Sequence, residues 1–197
     1  MEFVSIQQPS SVEADTSDAE LMRRLGVGDM SALAELVRRH QQRVRALAYR
    51  LTGRWDVADD VAQDTFVKLH RVAGRYRPTA ALSTWLYRMV VNLCLDLRRR
   101  RRAVSLGNAA ELLPGEPAAD EFLVRRERID AIQRAVAELP ERQRAALVLH
   151  RFEGLSHMQI AEVTGWSPAA VESLLVRAYA QLRERLREWS ASQESGR

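Results

Sequence analysis

An all-α fold is what this 197-residue sequence predicts, arranged as two small helical domains joined by a flexible linker. Three observations predict it. Apolar residues recur at three- and four-residue intervals along most of the chain, and no stretch alternates as a strand would. Ser, Asp and Gly punctuate those runs where helix ends need them. The pattern lapses between Ala103 and Glu121, where Gly107, Asn108, Pro114, Gly115, Pro117 and purely acidic charge give the composition of a linker. A chain with 46% hydrophobic residues can bury one moderate core or two small ones, and the lapse favours two.

Taken in order, residues 1–16 read as a flexible acidic N-terminus; up to Glu20 the chain has five acidic residues and no basic one. Ser17 and Glu20 make a capping box for a short helix through Leu25, ended by Gly26 and Gly28. Leu33, Leu36, Val37, Val44, Leu47 and Leu51 then repeat at helical spacing as far as Gly53. Asp56 is expected to cap a third helix with Val57, Val61, Ala62, Phe66 and Leu69 inward. Gly74 to Ala81 reads as a loop around Pro78, and Ser83 is placed to cap a fourth helix running from Thr84 into the arginine run Arg98–Arg102. This closes a first domain, 17–102, followed by the linker, 103–121. The second domain, 122–189, begins with a helix near Phe122, breaks at Pro140 and resumes through Leu147, Val148 and Phe152.

Its most informative part comes next. Ser156 and Gln159 form a capping box, Ile160, Ala161 and Val163 supply an apolar face, and Thr164-Gly165-Trp166 break the helix. Ser167 is a second N-cap with Pro168 in the first helical position, and Val171, Leu174, Leu175, Ala178 and Leu182 continue at helical spacing. A small residue at the crossing, a glycine at the turn and a buried anchor are what a helix-turn-helix requires. An ordinary helical hairpin is the blander alternative. Residues 190–197 read as a flexible tail.

The formal charge is +4 and the isoelectric point about 9.8, which favours an acidic partner. Lys68 is the only lysine, so the positive charge is nearly all guanidinium, suited to bidentate phosphate and base contacts. No segment is long and apolar enough to span a membrane and the start lacks the order of a signal peptide, so a soluble, cytoplasmic chain without membrane insertion is expected. Cys94, the sole cysteine, sits in an apolar helical context and reads as core filling. His40, His70, His150 and His157 have no ligand-like spacing, and no cofactor or metal is called for.

Three constellations carry chemistry. Between Gly74 and Asn92, Tyr76, Trp85 and Tyr87 are interleaved with Arg75, Arg77 and Arg88, a composition suited to unpaired nucleic acid. Each base stacked on an aromatic is worth roughly 1–3 kcal/mol, comparable to the few kcal/mol that extruding a base costs. On helical spacing Tyr87 and Val91 share one face while Trp85, Arg88 and Asn92 share another, so some of these aromatics must be core. The arginine run could extend the track along phosphates, or simply be a solvated helix end that favours cations. In the third helix, Asp56, Asp60 and Asp64 recur at four-residue intervals beside Asp59, a self-repelling face that a basic protein partner or a divalent metal would relieve. The metal reading, with Asp59, Asp60 and Asp64 as ligands, lacks a further carboxylate or His to complete a shell. In the second helix of the helix-turn-helix, Glu172, Ser173, Val176 and Arg177 lie towards the exposed side, where glutamate can accept from cytosine, valine can touch a thymine methyl and arginine can donate to guanine or phosphate.

With these residues assembled, the chain resembles an extracytoplasmic-function sigma factor, the smallest class of the sigma-70 family of bacterial transcription initiation factors. The resemblance covers Asp18 to Glu188 and rests on three segments in order: residues 56–68 (DVADDVAQDTFVK), residues 83–92 (STWLYRMVVN) and residues 139–144 (LPERQR) leading into the helix-turn-helix. It implies a factor with no catalytic site and no cofactor that binds core RNA polymerase at its clamp helices and flap, recognises the −10 and −35 promoter elements and promotes DNA melting. It further implies that Asp60, Gln63, Asp64, Phe66 and Lys68 meet the polymerase. Arg75, Tyr76, Arg77, Trp85, Tyr87, Arg88 and Asn92 would handle the −10 element, with Tyr76, Tyr87 and Asn92 forming a pocket for an extruded base. Ser167, Ala169, Glu172, Ser173, Val176 and Arg177 would read the −35 duplex. Family members often pair with an anti-sigma factor. The chain departs from the commonest pattern at Glu172, Leu174 and Tyr179, where many members are basic, and at Pro78-Thr79, where some relatives carry an acidic Gly-Asp step. A stand-alone helix-turn-helix regulator is the competing class; it would bind duplex DNA without polymerase and would normally dimerise to read two half-sites.

Overall fold

The computed structural model of the chain describes residues 17–77, 81–104 and 131–195. Helix α1 (Asp18–Gly26) starts on Ser17, whose hydroxyl accepts from the Glu20 amide. The capping box is only half made, because the Glu20 carboxylate turns to Arg23 instead. Gly28 (φ +94°) carries the turn into α2 (Met30–Thr52), which Asp29 caps and Gly53 (φ +75°) closes. Left-handed backbone at these two positions is why glycine stands there.

Helix α3 (Trp55–Val72) begins one residue before the expected cap. Asp56 is not the N-cap; Arg54 is, without a side-chain cap bond, and Asp56 pairs with Arg54 from the first turn. The start is fixed by packing: the Trp55 ring stacks on Tyr49 at 4.0 Å, and the Arg45 guanidinium also lies over it at 4.9 Å. A 3-10 turn (Ala73–Arg75) follows, and α4 (Leu82–Val104) begins with buried Leu82. Ser83 therefore lies inside the first turn rather than capping it. Helix α4 also continues through residues 103–104, past the expected end of the domain.

Residues 131–137 are helical (α5). After Pro140 come α6 (Glu141–Arg151), α7 (His157–Thr164) and α8 (Pro168–Ser195). The last of these runs beyond Trp189 into the segment expected as a tail, since the first Gly or Pro after Pro168 is Gly196. The acidic N-terminus, the Pro78-Thr79 step, most of the linker and the start of the second domain near Phe122 lie outside the described residues.

Helices α2, α3 and α4 pack together with α1 across one end, and α6, α7 and α8 form the second group. The two groups touch, α6 against α2 and α7 against α4. Their buried residues form one continuous cluster, from Leu36, Leu47, Val61, Leu69 and Val90 to Leu149, Ile160 and Val171. Leu51, Val91, Cys94 and Leu95 meet Glu141 and Ala145 along the seam, and Cys94 is buried as expected.

Candidate nucleic-acid interface

The helix-turn-helix assembles from local chemistry. Gln159 N–H donates to Ser156 Oγ and Ser156 N–H donates to Gln159 Oε1, completing the reciprocal box. Gly165 (φ +73°) ends α7, its amide donating to Ala161 O at 2.8 Å, and Ser167 Oγ accepts from the Ala170 amide to start α8. Val171 is fully buried between them. All six residues assigned to duplex reading, Ser167, Ala169, Glu172, Ser173, Val176 and Arg177, are exposed; Ser167 caps the helix, and the other five fall within three turns on the face opposite Val171, Leu175 and Ala178. Val176 presents an apolar side chain, 64% exposed, on this face. Arg177 donates through Nε to Ser173 O and through Nη2 to Ser173 Oγ, which holds its guanidinium against the helix. Leu174, one of the departures from the commonest pattern, is buried and belongs to the core; Tyr179 is exposed.

The acidic face of α3 is also a surface. Asp60, Gln63, Asp64 and Lys68 are exposed, and neither Asp60 nor Asp64 has an ion pair among the described residues. Asp59 is bound by Arg45 and Asp56 by Arg54, so two of the four carboxylates are paired and the Asp60–Asp64 repulsion remains. Among the described residues no three His, Cys, Asp or Glu side chains converge as a metal site. Phe66 is a correction. It is 8% exposed and packs inward with Val61 and Leu69, so its ring is not part of this surface. Its apolar spacing had placed it inward, and the burial follows that spacing rather than the role implied by resemblance.

The third set divides. Arg75 and Arg77 are exposed, and Tyr76 is half-buried with its ring edge-on to Trp85 at 5.2 Å. Burial raises the Tyr76 phenol above its ordinary value. Asn92 is exposed on α4, as the helical spacing requires. Arg88 is exposed too, yet its Nη2 donates to the carbonyl of Glu162 in α7. Tyr87 is 2% exposed. Its ring lies under the Arg43 guanidinium, and its hydroxyl is buried facing the Glu153 carboxylate without completing a hydrogen bond of good geometry. Burial, and then the neighbouring carboxylate, push the phenol far up. In this arrangement Tyr87 does not form an open pocket with Tyr76 and Asn92, because the second helical group covers it.

Sequence reasoning missed the side chains that make this cover. Glu153, from the loop after α6, has a side chain only 2% exposed and pairs with Arg43 at 2.9 Å and Arg50 at 3.5 Å, both on α2. The Glu153 carboxylate in turn raises the Arg43 guanidinium's pKa. Arg50 also lies over the Phe152 ring. Arg144, buried within the Leu139–Arg144 segment, donates to Leu139 O and Ala137 O and reaches across to Leu51 O of α2 at 2.9 Å. The seven-residue spacing of Arg43 and Arg50 on one helix face was the available signal, but nothing local names their partner.

Comparison with known proteins bears on this geometry. The sigma-70 region 2 family model matches residues 36–104, and the sigma-70 region 4 family model matches residues 129–182. The chain is 41% identical over 169 residues to the ECF RNA polymerase sigma factor SigM of Mycobacterium tuberculosis, covering 85% of this chain and 84% of that one. It is 36% identical to the RNA polymerase sigma-H factor of Pseudomonas aeruginosa, covering 82% and 89%. Among solved structures it is similar to CnrH in complex with the cytosolic domain of CnrY, with a TM-score of 0.65, 27% identity and coverage of 87% and 97%. Two family segments in order, a helix-turn-helix with an exposed second helix, and relatives matched over most of their length lead to one conclusion: this chain belongs to the extracytoplasmic-function sigma factors of the sigma-70 family, DNA-binding proteins of transcription initiation that act with RNA polymerase.

Proposed function

We propose that this protein directs core RNA polymerase to promoters by reading a −35 element as duplex and a −10 element as a melted strand, using two domains of about 17–102 and 122–189. The observation that carries the reading is the exposed face of α8, where Glu172, Ser173, Val176 and Arg177 present an acceptor, a hydroxyl, an apolar surface and a guanidinium to one side. Such a mixed set distinguishes base pairs in the major groove, where each pair shows a distinct pattern of donors, acceptors and methyl groups. The carboxylates Asp60 and Asp64, without an ion pair among the described residues, supply with Gln63 and Lys68 a docking face for polymerase. Arg75, Tyr76, Arg77, Trp85, Arg88 and Asn92 supply stacking and phosphate contacts for an unpaired strand. Tyr87 joins them once α7 leaves α4. CnrH is held by the cytosolic domain of a second protein, and an anti-sigma factor of comparable kind is proposed as a partner here.

Run-off transcription from a library of promoter fragments, with core polymerase alone and with this protein added, tests the proposal. Discrete transcripts that require both components support it. Tight duplex binding by the protein alone as a dimer, with no polymerase-dependent transcript, would favour a stand-alone regulator instead.

A further inference from the structure

The contact between the two helical groups encloses one buried anion. The Glu153 carboxylate is enclosed by Arg43 and Arg50, each of which also lies against an aromatic ring, Tyr87 for Arg43 and Phe152 for Arg50. Two guanidiniums face one carboxylate, so the pocket carries net positive charge even when filled. Glu153 and Phe152 come from the second group, whereas Arg43, Arg50 and Tyr87 come from the first. When the groups part, two arginines are left beside a tyrosine ring with no anion between them. A guanidinium binds carboxylate and phosphate oxygens with the same planar fork.

We propose that Arg43 and Arg50 form a binding site for a backbone phosphate of the melted promoter strand, next to the base held at Tyr87, and that Glu153 occupies this site in the closed protein. Closure and strand binding are then mutually exclusive. The same movement that seats Glu153 covers Tyr87 and engages Arg88 with the Glu162 carbonyl, so a single event withdraws a ring, a base-proximal cation and the phosphate site together. The closed protein discriminates against unpaired DNA until the domains are drawn apart, as simultaneous engagement of two promoter elements would require. This inference rests on the −10 reading proposed above.

The test uses the full chain and a fluorescent ten-nucleotide single strand of randomised sequence, followed by anisotropy across a salt series. Glu153→Gln keeps the shape and removes the charge, and should tighten strand binding about tenfold by releasing the closed state. Adding Arg43→Gln and Arg50→Gln to that variant should abolish the gain and lower the salt slope by about 0.7 for each phosphate no longer held. Arg43→Lys with Arg50→Lys keeps the charges without the fork and should recover part of the affinity; thermal melting of each variant confirms that it is folded. Dyes at exposed Val67 and Gln181, introduced through cysteines, should show reduced energy transfer when the strand saturates the otherwise unaltered protein. Unchanged affinity in Glu153→Gln, arginine variants that bind as well as their parent, or strand binding with no fall in transfer would each overturn the proposal. Tyr76→Ala and Asn92→Ala separate the two layers: if they weaken binding while the arginine variants do not, the phosphate site is wrong and the −10 reading stands, and if neither set matters both fall.

Discussion

Replacing Arg144 with Met removes a buried cation of similar length and leaves its acceptors in place. Arg144 donates to Leu51 O and Leu139 O at 2.9 Å each and also to Ala137 O, and the residue is 2% exposed, so water cannot replace it without a local opening. A buried acceptor left unpaired costs about 1–3 kcal/mol, so three carbonyls set a gross loss of several. Relief of the guanidinium's own desolvation offsets part of that, giving a net loss of about 2–4 kcal/mol. For a chain of this size that lowers the melting temperature by about 5–15 °C. Arg144→Lys, which keeps one charged donor but cannot span carbonyls on two helices, should lose about half as much. Urea denaturation followed by circular dichroism measures both. A Met variant within about 1 kcal/mol of the unaltered protein would show that the fork does not hold α6 to α2, and that the seam rests on apolar contact alone.

Three further outcomes are expected. Asp60→Arg with Asp64→Arg should weaken capture of core polymerase while thermal stability holds or rises, because like charges four residues apart are removed from α3; equal capture would remove these residues from the interface. Glu172→Ala should relax preference at particular −35 positions in a promoter-variant library, whereas Arg177→Ala should lower duplex affinity by about 1–3 kcal/mol if it contacts a base, or reduce the salt slope by about one if it holds a phosphate; identical responses from both variants would show that neither reads sequence. Asp29 is held at a pKa of about 2 by Ser31 and Arg24, and Glu35 at about 2 by Arg38 and Arg39. Since both folded-state values are depressed, their contribution is full above the ordinary carboxylate range and is lost as pH falls from about 4.5 towards 2. Melting temperature should therefore drop across that window, and less so in Glu35→Gln.

What the sequence made readable was local. The reciprocal box of Ser156 and Gln159, the glycine turn at Gly165 and the cap at Ser167 each depend on residues within a few positions of one another, and the structure forms all three. The starts of α3 and α4 were misplaced by a residue or two because packing of Trp55 on Tyr49 and burial of Leu82 decide them, and neither contact is encoded at the helix end itself. At Phe66 apolar spacing and family resemblance pointed different ways, and the spacing prevailed because the ring is needed in the core. The polar seam could not be read at all: Arg43 meets Glu153 across 110 positions and Arg144 meets Leu51 across 93, separations at which no spacing rule applies. The same seam explains why Tyr87 and Arg88, neighbours on different faces of α4, are both engaged by the second helical group.

Promoter opening in concert with polymerase, the function proposed for this protein, is measured directly by permanganate reactivity of thymines in the −10 segment. With core polymerase and the unaltered protein, those thymines should become reactive on a duplex promoter, while core or protein alone leaves them protected. Tyr76→Ala and Asn92→Ala should retain core binding but lose reactivity by about one to two orders of magnitude where opening is near balance, the value of one stacked base. A template already mismatched over the −10 segment should restore part of the lost transcription. Duplex thymines that stay protected with the complete holoenzyme bound would contradict promoter opening by this protein, and variants that open the duplex as well as the unaltered protein does would contradict the roles of Tyr76 and Asn92.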